Sequence, residues 1–391
     1  MDCLSFNDGD RCLAYSRSAD APRPQCSLGA REQLNAATAF LDGSPVYGST
    51  GETLDRLRTF DGGLLKTSAG DVLPVIGDAS FDDECAGRAD AADAADVNAT
   101  ICYRSGDARV NTSPALVALH SLFVRQHNRL AEQLFDINPT WDDETLFQEA
   151  RRLVVAQLQH VTYREYLPAV LGESLAENLR LTPQVLGSYK GYDMDAQPAT
   201  LQAAATAALS FAVAMLPSNN RYERHTAAGE RTFESSGHSD QIEQVLYGLM
   251  NTMSRRVGLD SIPAARVTDQ SRTSNTLDQL ATLVMRGRDH GLPGYTVWRQ
   301  LCQFDAVANF SDLGDVMSPV NMAALSAAYA SVHDVDLFVG GMAENPLKGA
   351  VVGPTFACIL AHQFTLTRKS DRFWYENDVP PSSFTKGNSV N

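Results

Sequence analysis

The chain has 391 residues, 44% apolar and 20% charged, which is enough material for a substantial hydrophobic core. Its 47 acidic side chains outnumber 32 basic ones and leave a formal net charge of −15, which excludes the basic face that nucleic-acid binding requires. No apolar run approaches the roughly 18 residues that span a bilayer, and the first twenty residues have neither the basic nor the apolar region of a secretion signal.

In chain order, the turn-rich stretch 60–110 reads as loop; its acidic, alanine-rich part, 82–96, has the composition of a helix, but its charge favours a loop or solvated face. A helix begins at Ser113 as N-cap with Pro114 at the first helical position, carries Leu116, Leu119, Phe123 and Leu130, and ends near Asn138-Pro139. A second starts at Asp142-Asp143, whose carboxylates suit a helix N-terminus, and runs through Leu146, Ala150, Leu153, Val154, Leu158 and Val161 until Pro168 stops it. The alanine-rich stretch 199–216 is apolar almost all round, so a third, buried helix is expected there. The stretch 217–240 reads as loop, Ile242, Val245, Leu246, Leu249, Met250 and Met253 mark a fourth helix, and 320–333 a shorter fifth. Alternating strand patterns are scarce and no linker-like stretch occurs, so a mainly α, single domain over 1–391 is expected.

Seven cysteines (Cys3, Cys12, Cys26, Cys85, Cys102, Cys302, Cys358) contain no CxxC pair, which points to disulfides over a zinc site. Three sequons, at Asn98, Asn111 and Asn309, lean towards an extracellular protein, although Pro114 follows the second.

Several blocks in order, REQLNAATAFLDGSPVYGS from Arg31, GDARVNTSPALVALHSLFVRQHNRLA from Gly106, LFQEARRLVVAQLQHVTYREYLPAVLG from Leu146, RGRDHGLPGY from Arg286, FVGGMAENPL from Phe338, VGPTFACILAHQF from Val352 and DRFWYEN from Asp371, resemble the animal haem peroxidases over about residues 12–377. The resemblance implies a helical domain with little β, a haem, bound calcium, and oxidation of a small donor by hydrogen peroxide. It implies the disulfides Cys12–Cys26, Cys85–Cys102 and Cys302–Cys358, which leave Cys3 over, and an extracellular setting. The family's distal-histidine segment would lie upstream of residue 1 and its C-terminal end beyond this chain's, so a fragment or incomplete gene model is expected.

The resemblance also maps the haem site. The family's proximal histidine falls on Val213, the asparagine that orients it on Leu283, an arginine nearby on Ser210, and a carboxylate that esterifies haem on Thr112. A valine has no lone pair for iron, so Val213 reads as a buried helix residue filling part of the old pocket. Arg109 matches the distal arginine that polarises peroxide, and equally suits a structural pairing with acids. Thr38, Phe40, Asp42 and Ser44 match the family's calcium ligands, oxygen donors suited to a hard cation; the alternative is a turn stabilised by Asp42. No histidine stands out as a replacement iron ligand: His120 and His127 share a helix face, His160 and His290 lie in scaffold blocks, and His225 and His238 fall in a polar loop. Two functions follow: a haem peroxidase oxidising halides, phenols or tyrosyl groups, or a catalytically silent extracellular binding or adhesion paralogue.

Overall fold

The computed structural model describes residues 3–5, 12–23, 27, 29–76, 102–215, 239–261, 266–268, 276–380 and 383–384. Among the described residues the strands form two antiparallel ribbons, β1 (Cys3–Ser5) with β2 (Cys12–Ala14) and β3 (Arg266–Thr268) with β4 (Thr276–Asp278). The α-helices are α1 (Ser44–Tyr47), α2 (Gly51–Leu57), α3 (Pro114–Ile137), α4 (Asp143–Val161), α5 (Leu167–Leu171), α6 (Glu173–Asn178), α7 (Gln202–Thr206), α8 (Ser239–Asn251), α9 (Gln279–Asp289), α10 (Tyr295–Leu301), α11 (Pro319–Ala328), α12 (Leu337–Ala343) and α13 (Pro354–Ser370). The fold is mainly α, as expected. Among the described residues no helix is long and apolar enough to cross a membrane.

Helix α3 starts where its signals place it, with Ser113 Oγ accepting the Ala115 N–H at 3.2 Å. Its most deeply buried line is Ala118, Ser121, Val124, His127 and Ala131, while Leu119, expected on the core face, is 39% exposed. The small residues let α4 and α8 approach closely, and Phe123 and Leu130 fill the flanks. Asp142 caps α4 through Thr145 N–H (2.8 Å), and Asp143 and Glu144 in its first turn hold the buried Arg58.

Four expectations are corrected. Pro168 does not stop the second helix: a π-turn at Thr162–Tyr166 shifts the ladder so that Leu167 N–H reaches Thr162, and Pro168 sits in the first turn of α5, where a missing N–H costs nothing. The helix ends instead at Gly172, whose φ of 87° favours glycine. The stretch 199–216 is not one helix: α7 breaks at Ala207 and a 3₁₀ segment, Ala208–Met215, follows. Ser210 Oγ donates back to Thr206 O at 3.3 Å, a local bond that competes with the α-helical ladder. Helix α8 buries Ile242 and Val245, but Met250 and Met253 are 77% and 93% exposed, and Met253 lies past the helix end. The shorter fifth helix is α11, ending at Ala328 before a separate turn at Val332–Asp334. Of the predicted loops, 60–76 and 102–107 are described and are joined by a single bridge, Val75 to Tyr103; 82–96 and 217–238 lie outside the described residues.

Among the described residues, apolar side chains gather in three clusters. The largest joins Tyr163, Leu171, Phe211, Leu283, Phe356 and Trp374, and the second is built around Tyr47, Val110, Phe147 and Val154. The third surrounds Tyr295, Leu313, Met317 and Val335. The paired glycines of the FVGGMAENPL block have a steric reason: a Cβ on Gly340 would meet the Tyr295 ring at 2.3 Å and one on Gly341 the Phe356 ring at 2.1 Å. Buried Glu344 then ties α10 to α13, accepting from Tyr295 OH (2.7 Å), Thr355 Oγ (2.6 Å) and Thr355 N–H (2.8 Å). Cys302–Cys358 links the same two helices across 56 residues, a closure that restricts the unfolded chain and contributes about 2–4 kcal/mol. Cys102 is also disulfide-bonded, while Cys26 and Cys85 lie outside the described residues.

Candidate functional site

The loop Thr38–Ser44 is shaped by its own side chains. Thr38 Oγ accepts Phe40 N–H at 3.1 Å and Asp42 Oδ1 accepts Ser44 N–H at 2.9 Å, while Gly43 takes φ 71° so that α1 begins at once. Behind it stands buried Asp371, whose carboxyl accepts from Gln159 Nε2 (3.1 Å) and Phe373 N–H (2.8 Å). Gln159 Nε2 also reaches Leu41 O at 3.1 Å, which fixes the loop to α4. Burial chiefly, and the nearby charge of Asp42, push the Asp371 carboxyl up to about 6. A buried acid near Asp42, beside a turn rich in oxygen, is the kind of donor chemistry a hard cation takes. Asp371 and Gln159 were not singled out from sequence. An acid heading an aromatic block carries no local sign of facing a loop more than three hundred residues upstream.

Arg109 and Thr112 sit on the 3₁₀ turn Ala108–Thr112 ahead of α3. The Arg109 side chain is 69% exposed and pairs with Asp107 at 2.6 Å, and Thr112 Oγ donates to Arg109 O at 2.8 Å. Hydrogen bonds from Arg109 hold the Asp107 carboxyl below its usual range.

Val213 and Leu283 belong with a different apolar cluster from the turn that carries Arg109. Leu283 is 4% exposed within the largest apolar cluster, and half-buried Val213 packs against that cluster from the 3₁₀ segment. Arg109 follows another core, because its neighbour Val110 belongs to the second cluster. Beside Leu283 a cleft lined by Ala207, Val284, Gly287, Leu292, Leu337 and Phe338 holds about 10 Å³, room for one water molecule. Val213 and Leu283 present only hydrocarbon here, and the Ser210 hydroxyl donates to Thr206 O. Among the described residues no group of three or more His, Cys, Asp or Glu is arranged to hold a metal.

The described histidines are committed to protein partners or lie on the surface. His290 bonds Ser18 (2.7 Å) through Nε2 and Gln202 and Thr206 (3.0 Å each) through Nδ1. His120, His160 and His333 each engage a hydroxyl through Nδ1, and His362 is exposed. His225 and His238 lie outside the described residues.

His127 is fully buried: its Nδ1 meets Tyr47 OH and its Nε2 meets Gly63 O, both at 2.9 Å. A neutral ring donating from Nε2 and accepting at Nδ1 satisfies both partners, and burial pushes its pKa down to about 4. Because the folded value lies below the unfolded one near 6.5, this stabilisation is present above about pH 6.5 and is lost as pH falls towards 4. Acid titration of denaturation midpoints should therefore show a loss of about 3 kcal/mol over that window that His127→Gln lacks. Equal slopes in the two proteins would refute the assignment.

Comparison with known proteins gives the site a family context. The sequence profile described as animal haem peroxidase matches residues 2–390. The chain is 35% identical to Peroxidase mlt-7 of Caenorhabditis elegans over 96% of its length and 50% of that protein's. It is 34% identical to Peroxidasin homolog pxn-2 of the same organism, over 89% of this chain and 27% of that one. The chain thus spans half or less of these relatives. Peroxidase A from Dictyostelium discoideum superimposes with a TM-score of 0.73 at 27% identity, over 95% of this chain and 72% of the other. Oryza sativa fatty acid alpha-dioxygenase shares the fold at a TM-score of 0.69 and 20% identity, over 92% and 62% of the two chains.

Proposed function

Because the chain belongs to the animal haem peroxidase family, we propose that these 391 residues form one domain that keeps the family scaffold without its haem-iron chemistry, and that the protein serves as an extracellular binding or adhesion protein. The observation that carries the reading is the packing of Val213 and Leu283 into one apolar cluster, where the resemblance puts an iron ligand and its hydrogen-bond partner. Ser210 and Thr112 point the same way. The disulfide Cys302–Cys358 supports an oxidising compartment. Mixed with haemin, hydrogen peroxide and a phenolic donor, the purified protein should oxidise the donor no faster than haemin alone. Saturable turnover above that background would overturn the proposal.

Exposed Arg109 favours a second reading, an active secreted peroxidase oxidising halides or phenolic or tyrosyl donors with hydrogen peroxide; the same assay separates the two. Under either reading Thr38, Phe40, Asp42 and Ser44 would hold calcium, with Asp371 contributing charge from behind. Calcium should raise the melting temperature relative to a chelator, and Asp42→Ala should remove the difference. An unaltered melting temperature would refute the site.

A further inference from the structure

We infer that Asn309 is the acceptor of an N-linked oligosaccharide and that Asn111, which carries an equally valid sequon, is left bare. The inference rests on the secretory routing proposed above and is independent of whether haem binds.

Both asparagines head an N-x-S triplet, Asn309-Phe310-Ser311 and Asn111-Thr112-Ser113, and the sequence alone separates them only by Pro114 after the second. Their surroundings differ in the end of the amide they use. Asn309 is exposed and caps the 3₁₀ turn Phe310–Leu313: its side chain accepts the Asp312 N–H, and Asp312 Oδ2 accepts Asn309 N–H and Ala308 N–H at 2.9 Å each. Only the acceptor end is engaged. Among the described residues the Nδ2 of Asn309 makes no hydrogen bond, and Phe310 anchors the turn against the third apolar cluster. The amide therefore stands on a fixed surface turn with its nitrogen free.

Asn111 is half-buried and uses both ends. Its Oδ1 accepts Tyr103 N–H and its Nδ2 donates to Tyr103 O, each at 2.8 Å, so the amide pairs with one residue's backbone as a neighbouring strand would. Such two-point pairing uses the Nδ2 hydrogen on the same side as Oδ1. A secondary amide places its nitrogen substituent on that side, and the opposite arrangement costs about 2.5 kcal/mol. A sugar on Asn111 would therefore displace the hydrogen that holds Tyr103, or sit in the disfavoured amide form.

In the transfer, the anomeric carbon of a lipid-linked pyrophosphoryl oligosaccharide bonds to Nδ2 as its bond to the pyrophosphate oxygen breaks. The amide gives up one proton, and the lipid pyrophosphate leaves with the electron pair. The reaction is performed by a transferase of the secretory pathway, with the Ser311 hydroxyl as the second element of recognition.

The test is glycopeptide mapping of the full chain secreted from eukaryotic cells behind an appended signal, with Asn98→Gln as background so that two sequons remain. The expected result is an oligosaccharide on the Asn309 peptide, none on the Asn111 peptide, and loss of the amidase-sensitive gel shift in Ser311→Ala. That variant removes the sequon and keeps the cap, since Ser311 Oγ touches Asp312 only at 3.5 Å. Secreted protein with Asn309 unmodified, or with sugar on Asn111, would overturn the inference. Loss of haem binding changes neither outcome, so the result stands apart from the peroxidase question.

Discussion

Arg368→Met is expected to cost about 3–5 kcal/mol of folding stability. The guanidinium, 2% exposed on α13, donates to Arg180 O (3.0 Å), Thr182 O (3.2 Å) and Glu376 Oε2 (2.6 Å). It lies 4.0 Å from the centroid of the Tyr189 ring and 5.3 Å from that of Trp374, so one cation ties the 180–189 stretch to α13 and the block that follows it. Methionine keeps most of the apolar stem but leaves the Glu376 carboxylate, 8% exposed, with Trp374 Nε1 and Gln184 N–H as its remaining donors. Breaking a buried pair is costly because the surviving charge stays desolvated, whereas removing both charges is milder. Arg368→Met with Glu376→Gln should therefore recover part of the loss in a denaturant midpoint. A single variant within about 0.5 kcal/mol of the parent would show that the cluster is not holding the C-terminal block in place.

The second large effect concerns the apolar residues at the mapped haem positions. Leu283→Asn gives up about 2 kcal/mol of apolar burial and strands an amide in the core for about 1–3 kcal/mol more. Val213→His adds a ring where Val213 packs against the largest apolar cluster, an overpacking worth about 1–3 kcal/mol. Together they should destabilise the protein by roughly 3–6 kcal/mol in denaturant, somewhat less than the sum if the sites couple. If the pair also recreates an iron ligand and its partner, haemin should restore some of that stability to the variant and none to the parent. A double variant as stable as the parent would mean that these positions are not packed as described.

Much of this was legible because it is local. Ser113 and Pro114 announce α3, and Asp142 announces α4, since a cap is a short-range hydrogen bond readable from the residue that makes it. The helical class follows from apolar spacing, and the Cys302–Cys358 bridge from the family resemblance. What stayed hidden depends on contacts distant in sequence. Apolar periodicity cannot say whether a small or a large residue faces the neighbouring helix, so α3 turned its Ala118–Ala131 line inwards and left Leu119 at the edge. Pro168 looked like a stop because the π-turn before it has no simple sequence signature. Met253 looked like core because it continued a stripe beyond the point where the helix ends. In the candidate site, Asp42 was visible as a ligand type, yet Asp371 and Gln159 entered only once the fold brought α4 and the C-terminal block to the loop.

The central claim, that the scaffold persists without a place for haem iron, is tested most directly by titrating the unaltered chain with haemin and following its visible spectrum. The expected result is no saturable one-to-one Soret band, and no spectral difference between the parent and Val213→Ala. A stoichiometric Soret band that tightens with haemin concentration and responds to hydrogen peroxide would contradict it.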